Sequence, residues 1–215
     1  MAGRWWAHEC GTLWVSEASD PRPTPTQPRI AVAFGELRLE DAGPLAKAMG
    51  ASDSEVWRRF AGGRRCFGAW DGAQIAAYGW VSQQREYVGE LERVFYVQPD
   101  EAYIWDCVTL PDYRGQRIYS ALLASMLAEL HGAGVERVWI GASRDNQPSV
   151  KGFKNAGFRP AIELTYQRAF ALRCSWIRRS SGAPARLAAA ARRLIIASSE
   201  RAVGPFLLGI GRVSK

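Results

Sequence analysis

The chain has 215 residues, 47% apolar and 11% aromatic, enough to build a real core and far from the composition of a disordered polypeptide. Its net charge of +7 is localised: from Arg173 to Lys215 nine basic residues face Glu200 alone, so the tail carries +8 and the body −1, which argues against a nucleic-acid-binding body. Four scattered cysteines (Cys10, Cys66, Cys107, Cys174) with only His8 and His131 as imidazoles argue against a zinc site or disulfide framework, and no apolar run reaches the roughly 18 residues of a membrane span.

In chain order, residues 4–16 are rich in Trp, Val and Thr and fit a strand, with Arg4, His8 and Glu9 breaking the apolar segment a signal peptide needs. A cytoplasmic protein is the expectation. Pro21, Pro23, Pro25 and Pro28 make an extended linker, because proline at that density sustains neither helix nor ladder. Arg29–Phe34 reads as a strand, Glu40–Met49 as a helix closed by Gly50, and Ser52 or Asp53 as the cap of a second helix through Phe60. Asp71-Gly72 marks a hairpin between Cys66–Trp70 and Gln74–Val81, and Gln98-Pro99-Asp100 a second one between Leu91–Val97 and Ala102–Thr109.

From Gly115 to about His131 the apolar residues Ile118, Leu122, Met126 and Leu130 share one face of a helix that Gly132 and Gly134 stop. Val135–Gly141 is a strand, Asn146–Asn155 a helix, and Phe158–Leu172 one or two strands. This order implies an α/β chain of the α+β mixed kind, with a mostly antiparallel central sheet flanked by helices. The domains expected are an N-terminal extension with its linker over 1–28, the main domain over 29–172 and a basic amphipathic tail over 173–215.

The strand ending at Thr109 runs through Arg114-Gly115-Gln116-Arg117-Ile118-Tyr119 into the helix. First-turn N–H groups lack intrahelical partners and the helix dipole adds positive charge there, so the turn suits a phosphate. Gly115 permits close approach, and Arg114, Gln116 and Arg117 add donors.

With that turn, and with Asn146, Ser149, Phe153 and Gly157-Phe158 about thirty residues on, residues 30–172 resemble the GCN5-related N-acetyltransferase superfamily. The family's Arg/Gln-x-x-Gly-x-Gly/Ala loop falls on Arg114–Tyr119, after a Pro-x-Tyr-Arg-Gly lead-in at Pro111–Gly115. Two close-approach positions depart from the pattern, as Arg117 and Tyr119. Arg117 is compatible with binding if its φ is negative.

The resemblance implies an N-acetyltransferase using acetyl-CoA or another acyl-CoA, without a metal. It assigns pyrophosphate contacts to Arg114, Gly115, Gln116, Arg117, Ile118 and Tyr119, contacts with the pantetheine arm to Cys107, Val108 and Thr109, and a bond to the arm or sulfur region to Asn146. It also places Phe153 where many members carry the tyrosine that protonates the leaving thiolate, a role phenylalanine cannot fill. For the base, Asp106 in an apolar strand and Glu101 near the family's frequent glutamate position are the candidates. Trp57, Arg58, Trp80, Tyr87, Tyr96 and Tyr166 are acceptor-pocket candidates in this fold.

Ala183–Ser199 reads as a basic amphipathic helix that suits its own domain, a second subunit, an anionic membrane surface or an acidic partner. Three functions stay open: acyl transfer to a small-molecule amine, a non-catalytic acyl-CoA-sensing or interaction module, and transfer from acyl-carrier protein.

Overall fold

The computed structural model describes residues 6–169, 172–196 and 211–212. The expected N-terminal strand is Trp6–Glu17 (β1). Next comes Ala33–Leu37 (β2), later than the expected Arg29–Phe34 because the Arg29 N–H is spent on the Gln116 carbonyl (3.0 Å) rather than on the sheet. Ala42–Met49 (α1) closes on Gly50 at φ 61°, and the Ser52 hydroxyl caps Asp53–Ala61 (α2) by accepting the Glu55 N–H. Arg65–Asp71 (β3) and Gln74–Ser82 (β4) form the first expected hairpin.

The second expected hairpin does not form. Arg85–Val88 (β5) pairs with Arg93–Tyr96 (β6) as a separate two-stranded sheet, while Glu101–Thr109 (β7) joins the main sheet beside β4. The Val97 N–H goes to the Gln84 carbonyl (2.7 Å) and Pro99 has no N–H for a ladder, so the chain changes sheets between them.

The remaining elements are Ile118–Gly132 (α3), Arg137–Ser143 (β8), Gln147–Ala156 (α4), Arg159–Ala169 (β9), Leu172–Arg179 (β10), Ala185–Ile195 (α5) and Gly211–Arg212 (β11). The main sheet runs β11-β10-β9-β1-β8-β7-β4-β3-β2, and among its described pairs only β7 with β8 is parallel. The expected fold class holds.

The sheet takes in residues on both sides of the expected domain boundaries. Inside the sheet, β1 pairs with β8 from Gly11 to Glu17 and with β9 along most of its length, so residues 6–17 are a central strand rather than an extension. Its side chains alternate: Trp14 joins the core under α3 and α4, while Leu13 and Val15 join the one under α5 on the opposite face. The apolar stripe of α5 is Leu187, Ala188, Ala191 and Leu194, all buried on the chain's own domain. A third cluster packs α1 and α2 on β3 and β4. Sequence reading missed β1's place because a strand's partners are not encoded in its local pattern.

Glu17, at the end of β1, ties both additions together. Its carboxylate takes hydrogen bonds from Arg186 of α5 (2.5 and 2.7 Å) and from Arg159 of β9. The Arg186 hydrogen bond, aided by Arg159 and opposed by partial burial, lowers its pKa below the ordinary 4.5. A depressed carboxylate stabilises the fold fully above its unfolded pKa and loses that contribution as pH falls through the folded one. Glu17→Gln should therefore cost about 1–3 kcal/mol at pH 7 and nothing extra at strongly acid pH. Denaturation of both proteins from pH 7 to below 4.5 checks this, and a constant gap would refute it.

Candidate functional site

Pairing between β7 and β8 extends only from Glu101–Arg137 to Ile104–Ile140. Beyond it the two strands part: Thr109 and Val108 pair with Ala77 and Tyr78 of β4, and Gly141–Ser143 pair with Leu13–Gly11 of β1. The cause lies at Asp106, whose φ of +45° is left-handed, and at the register shift opposite it between Tyr78 and Trp80. A bulge of this kind bends the strand and re-aims its side chains. It leaves the β7 edge from Trp105 onward without a strand partner towards β8.

A cavity of about 550 Å³ lies along this gap. Trp105, Asp106 and Cys107 line one wall, Gly141–Ser143 the other, with Tyr119, Asn146, Ser149 and Phe153 at the helical end. At the opposite end stand Glu9 of β1, Glu86 and Tyr87 of β5, and Glu90 of the turn that joins β5 to β6. Acidic side chains at that mouth favour a cationic visitor.

The turn before α3 has the expected form. A 3-10 turn over Pro111–Tyr113 leads to Arg114, whose Nε donates to the Thr109 carbonyl (3.5 Å), and Gly115 stands at φ 78° with open space where a Cβ would lie. Arg117, the N-cap of α3, does not meet the condition of a negative φ: its φ is +64°. The backbone has kept the conformation a glycine would supply, at about 1–2 kcal/mol for a residue with a Cβ. Ile118 is core, 1% exposed, so only its backbone can serve a ligand. The Gln116 carbonyl is held by Arg29.

Of the two candidate bases, the geometry brings one to the cavity. Asp106 lines it, paired through Oδ2 with Arg59 Nη1 (2.5 Å). Arg59 also bonds Glu55, and its guanidinium lies 4.8 Å from the Trp105 ring centroid and 5.2 Å from that of Trp80. Proton acceptance by Asp106 must therefore compete with an ion pair. Glu101 lies at the far end of β7, 1% exposed, accepting from Arg137 Nε and Trp139 Nε1 (2.9 Å each), and does not line the cavity.

The arm-binding residues divide similarly. Cys107 lines the cavity, its thiol pKa pushed up by burial, then by Asp106; a Cβ at Gly79 would collide with its Sγ. Val108 and Thr109 face other neighbours, and Thr109 Oγ1 is buried without a hydrogen-bond partner where the strand meets the turn. Asn146 caps α4, its Oδ1 accepting the Ser149 N–H (3.3 Å), which leaves its amide nitrogen to reach a ligand. Phe153 is 1% exposed, packed with Trp14, Phe158 and Tyr119. Tyr119 turns into the same cavity.

Among the acceptor-pocket candidates only Tyr87 lines the cavity; Trp80 and Tyr166 are core, and Trp57 is exposed. Sequence reading missed Arg59 and Glu86. Glu86 is nearly buried, bound by Arg64 (2.6 and 3.1 Å) and by the Ser82 hydroxyl (2.5 Å), which also accepts from Trp105 Nε1 (3.0 Å). Only the i,i+4 spacing of Glu55 and Arg59 was a local signal. No group of three or more potential metal ligands occurs among the described residues.

Residues 34–158 match the family described as acetyltransferase (GNAT) family. Solved structures agree in fold. A GNAT-family acetyltransferase from Colwellia psychrerythraea is 15% identical, with a TM-score of 0.51, over 77% of this chain and 57% of its own. A GNAT-family protein from Novosphingobium aromaticivorans, described as a putative acetyltransferase, is 18% identical at 0.52, over 81% and 66%. A GCN5-related N-acetyltransferase from Sphaerobacter thermophilus is 13% identical at 0.53, over 83% and 54%. The matched part thus spans between about half and two thirds of those chains. No curated protein matches the sequence at a significant level.

Proposed function

The chain belongs to the acetyltransferase (GNAT) family, and from that premise we propose that it transfers an acetyl group from acetyl-CoA to the primary amine of a small molecule by direct attack. The observation that carries the reading is the parting of β7 and β8 after Ile104–Ile140, which leaves a strand edge open beside a cavity of about 550 Å³. An extended amide-bearing arm satisfies such an edge as an added strand does. The phosphates of the same molecule then lie at the N-terminus of α3, where N–H groups, Arg114 and Arg117 supply donors and charge.

The amine enters from the opposite mouth, drawn as a cation by Glu9 and Glu90. It must lose a proton before attack, and Asp106 is the carboxylate nearest the gap on β7. To act on the amine it must first be released, at least in part, from its ion pair with Arg59. The reading's support for the co-substrate is the open edge and the turn.

Calorimetric titration with acetyl-CoA, followed by thiol release over a panel of small amines, tests this. Saturable one-to-one binding with amine-dependent thiol release is expected. Binding without release over the whole panel would favour a sensing module, a reading that the side chains at Arg117, Tyr119 and Phe153 support. No binding to acetyl-CoA would remove both; turnover only with acetylated carrier protein would then point to that donor.

A further inference from the structure

Direct attack on a thioester forms a C–N bond, breaks the C–S bond and leaves the electron pair on sulfur, where a proton must follow. Residue 153, where the resemblance places the donor of that proton, is a phenylalanine packed into the core. The three phenols that line the cavity are Tyr87, Tyr103 and Tyr119. Tyr87 is 59% exposed at the outer mouth, and Tyr103 is stacked edge-on against Phe95 in the core beneath α5.

Tyr119 is differently placed. It sits in the first turn of α3 with its ring 6.4 Å from that of Phe153, the planes inclined by 31°. The ring lies flat on α4 where Gly152 has no side chain: a Cβ there would overlap Cδ1 and Cε1. Burial raises the pKa of its hydroxyl and so holds it as the neutral phenol, and it lines the same cavity as Ser149 and Cys107. The missing side chain at 152 thus leaves a seat that holds the ring beside the open strand edge.

We propose that Tyr119 is the proton donor for the departing thiolate, the phenol having moved from position 153 to position 119 of the same cavity. This rests on the acetyl-transfer reading above. As the C–S bond breaks, the Tyr119 hydroxyl proton passes to sulfur and gives a neutral thiol. The phenolate recovers a proton from solvent, which takes up the proton that the attacking nitrogen releases, so the step balances without a further reactant. The two departures from the loop pattern and from position 153 become one compensated exchange: a large residue at 119 supplies what 153 lacks.

The test compares the full-length wild type with Tyr119→Phe and the double variant Tyr119→Phe/Phe153→Tyr. Acetyl-CoA affinity is measured by calorimetry and kcat by thiol release. Tyr119→Phe should bind acetyl-CoA within about twofold of wild type and lose on the order of 10²-fold in kcat, the lower range for removal of a general acid. The double variant should recover at least tenfold over Tyr119→Phe. Wild-type kcat in Tyr119→Phe, or a loss confined to binding, overturns the assignment whatever the double variant does. Absence of thiol release from the wild type overturns the transfer reading instead, and is seen before any variant is compared.

Discussion

Removal of residues 1–28 should abolish folding, although those residues lie outside the span that matches the family. A dispensable N-terminal arm would leave the sheet intact, but β1 is hydrogen-bonded on both edges, to β8 and to β9. Its deletion separates these neighbours and opens both faces at once. Leu13, Trp14 and Val15 are 1%, 5% and 0% exposed. At roughly 1.5–3 kcal/mol for each fully buried large apolar side chain, their loss alone is about 5–9 kcal/mol. The whole stability of an ordinary domain is about 5–15 kcal/mol. Loss of the Glu17 contacts to Arg159 and Arg186 adds to the deficit. The truncated chain is expected to lack a cooperative thermal transition and near-ultraviolet dichroism; a sharp transition within a few degrees of the full chain would show β1 to be an accessory.

Glu101→Ala should be the most damaging single carboxylate change to stability, and its damage should not be catalytic. Glu101 is 1% exposed and accepts from both Arg137 and the fully buried Trp139 indole. Truncation strands the indole N–H and leaves Arg137 with Asp100 alone (3.1 Å). Breaking a buried pair from one side costs about 3–5 kcal/mol. Glu101→Gln keeps an acceptor for the indole and should lose less. The unfolding midpoint in urea reads the stability term, and thiol release well below the transition reads the chemistry. A Glu101→Gln protein of wild-type stability with no thiol release would restore the base assignment that its position on β7 suggested.

The two carboxylates of β7 illustrate how far a sequence reaches. Both belong to one strand, and the sequence placed them there. Five residues separate them, which in extended chain is roughly 16 Å. That separation puts one at the buried end beside β8 and the other at the bulge. Nothing local distinguishes Glu101, locked by a residue 36 positions away, from Asp106, paired with one 47 positions earlier. Such partners meet only when the sheet assembles.

The anion-binding turn lies at the other extreme. Gly115, the apolar stripe of α3, the Asn146 cap and the two motif spacings are local, and local rules suffice to read them. The same rules left the turn's backbone at Arg117 open, because a left-handed residue with a Cβ is held there by the structure around it against its own preference. They misjudged the hairpin after β6, where a turn signal was present but the partner strand was not the next in sequence.

By itself, then, the sequence determined the element types, the helical faces, the mixed antiparallel class and the residues of the phosphate turn, since each depends on periodicity or on capping within a few residues. Only the tertiary structure decided that β1 fills the middle of the sheet and that α5 covers one face. Only it placed the parting of β7 and β8 at Asp106 and brought Tyr119 to rest beside Phe153. These are long-range pairings, fixed by which surfaces bury one another when the chain closes and by no property of the segments taken singly.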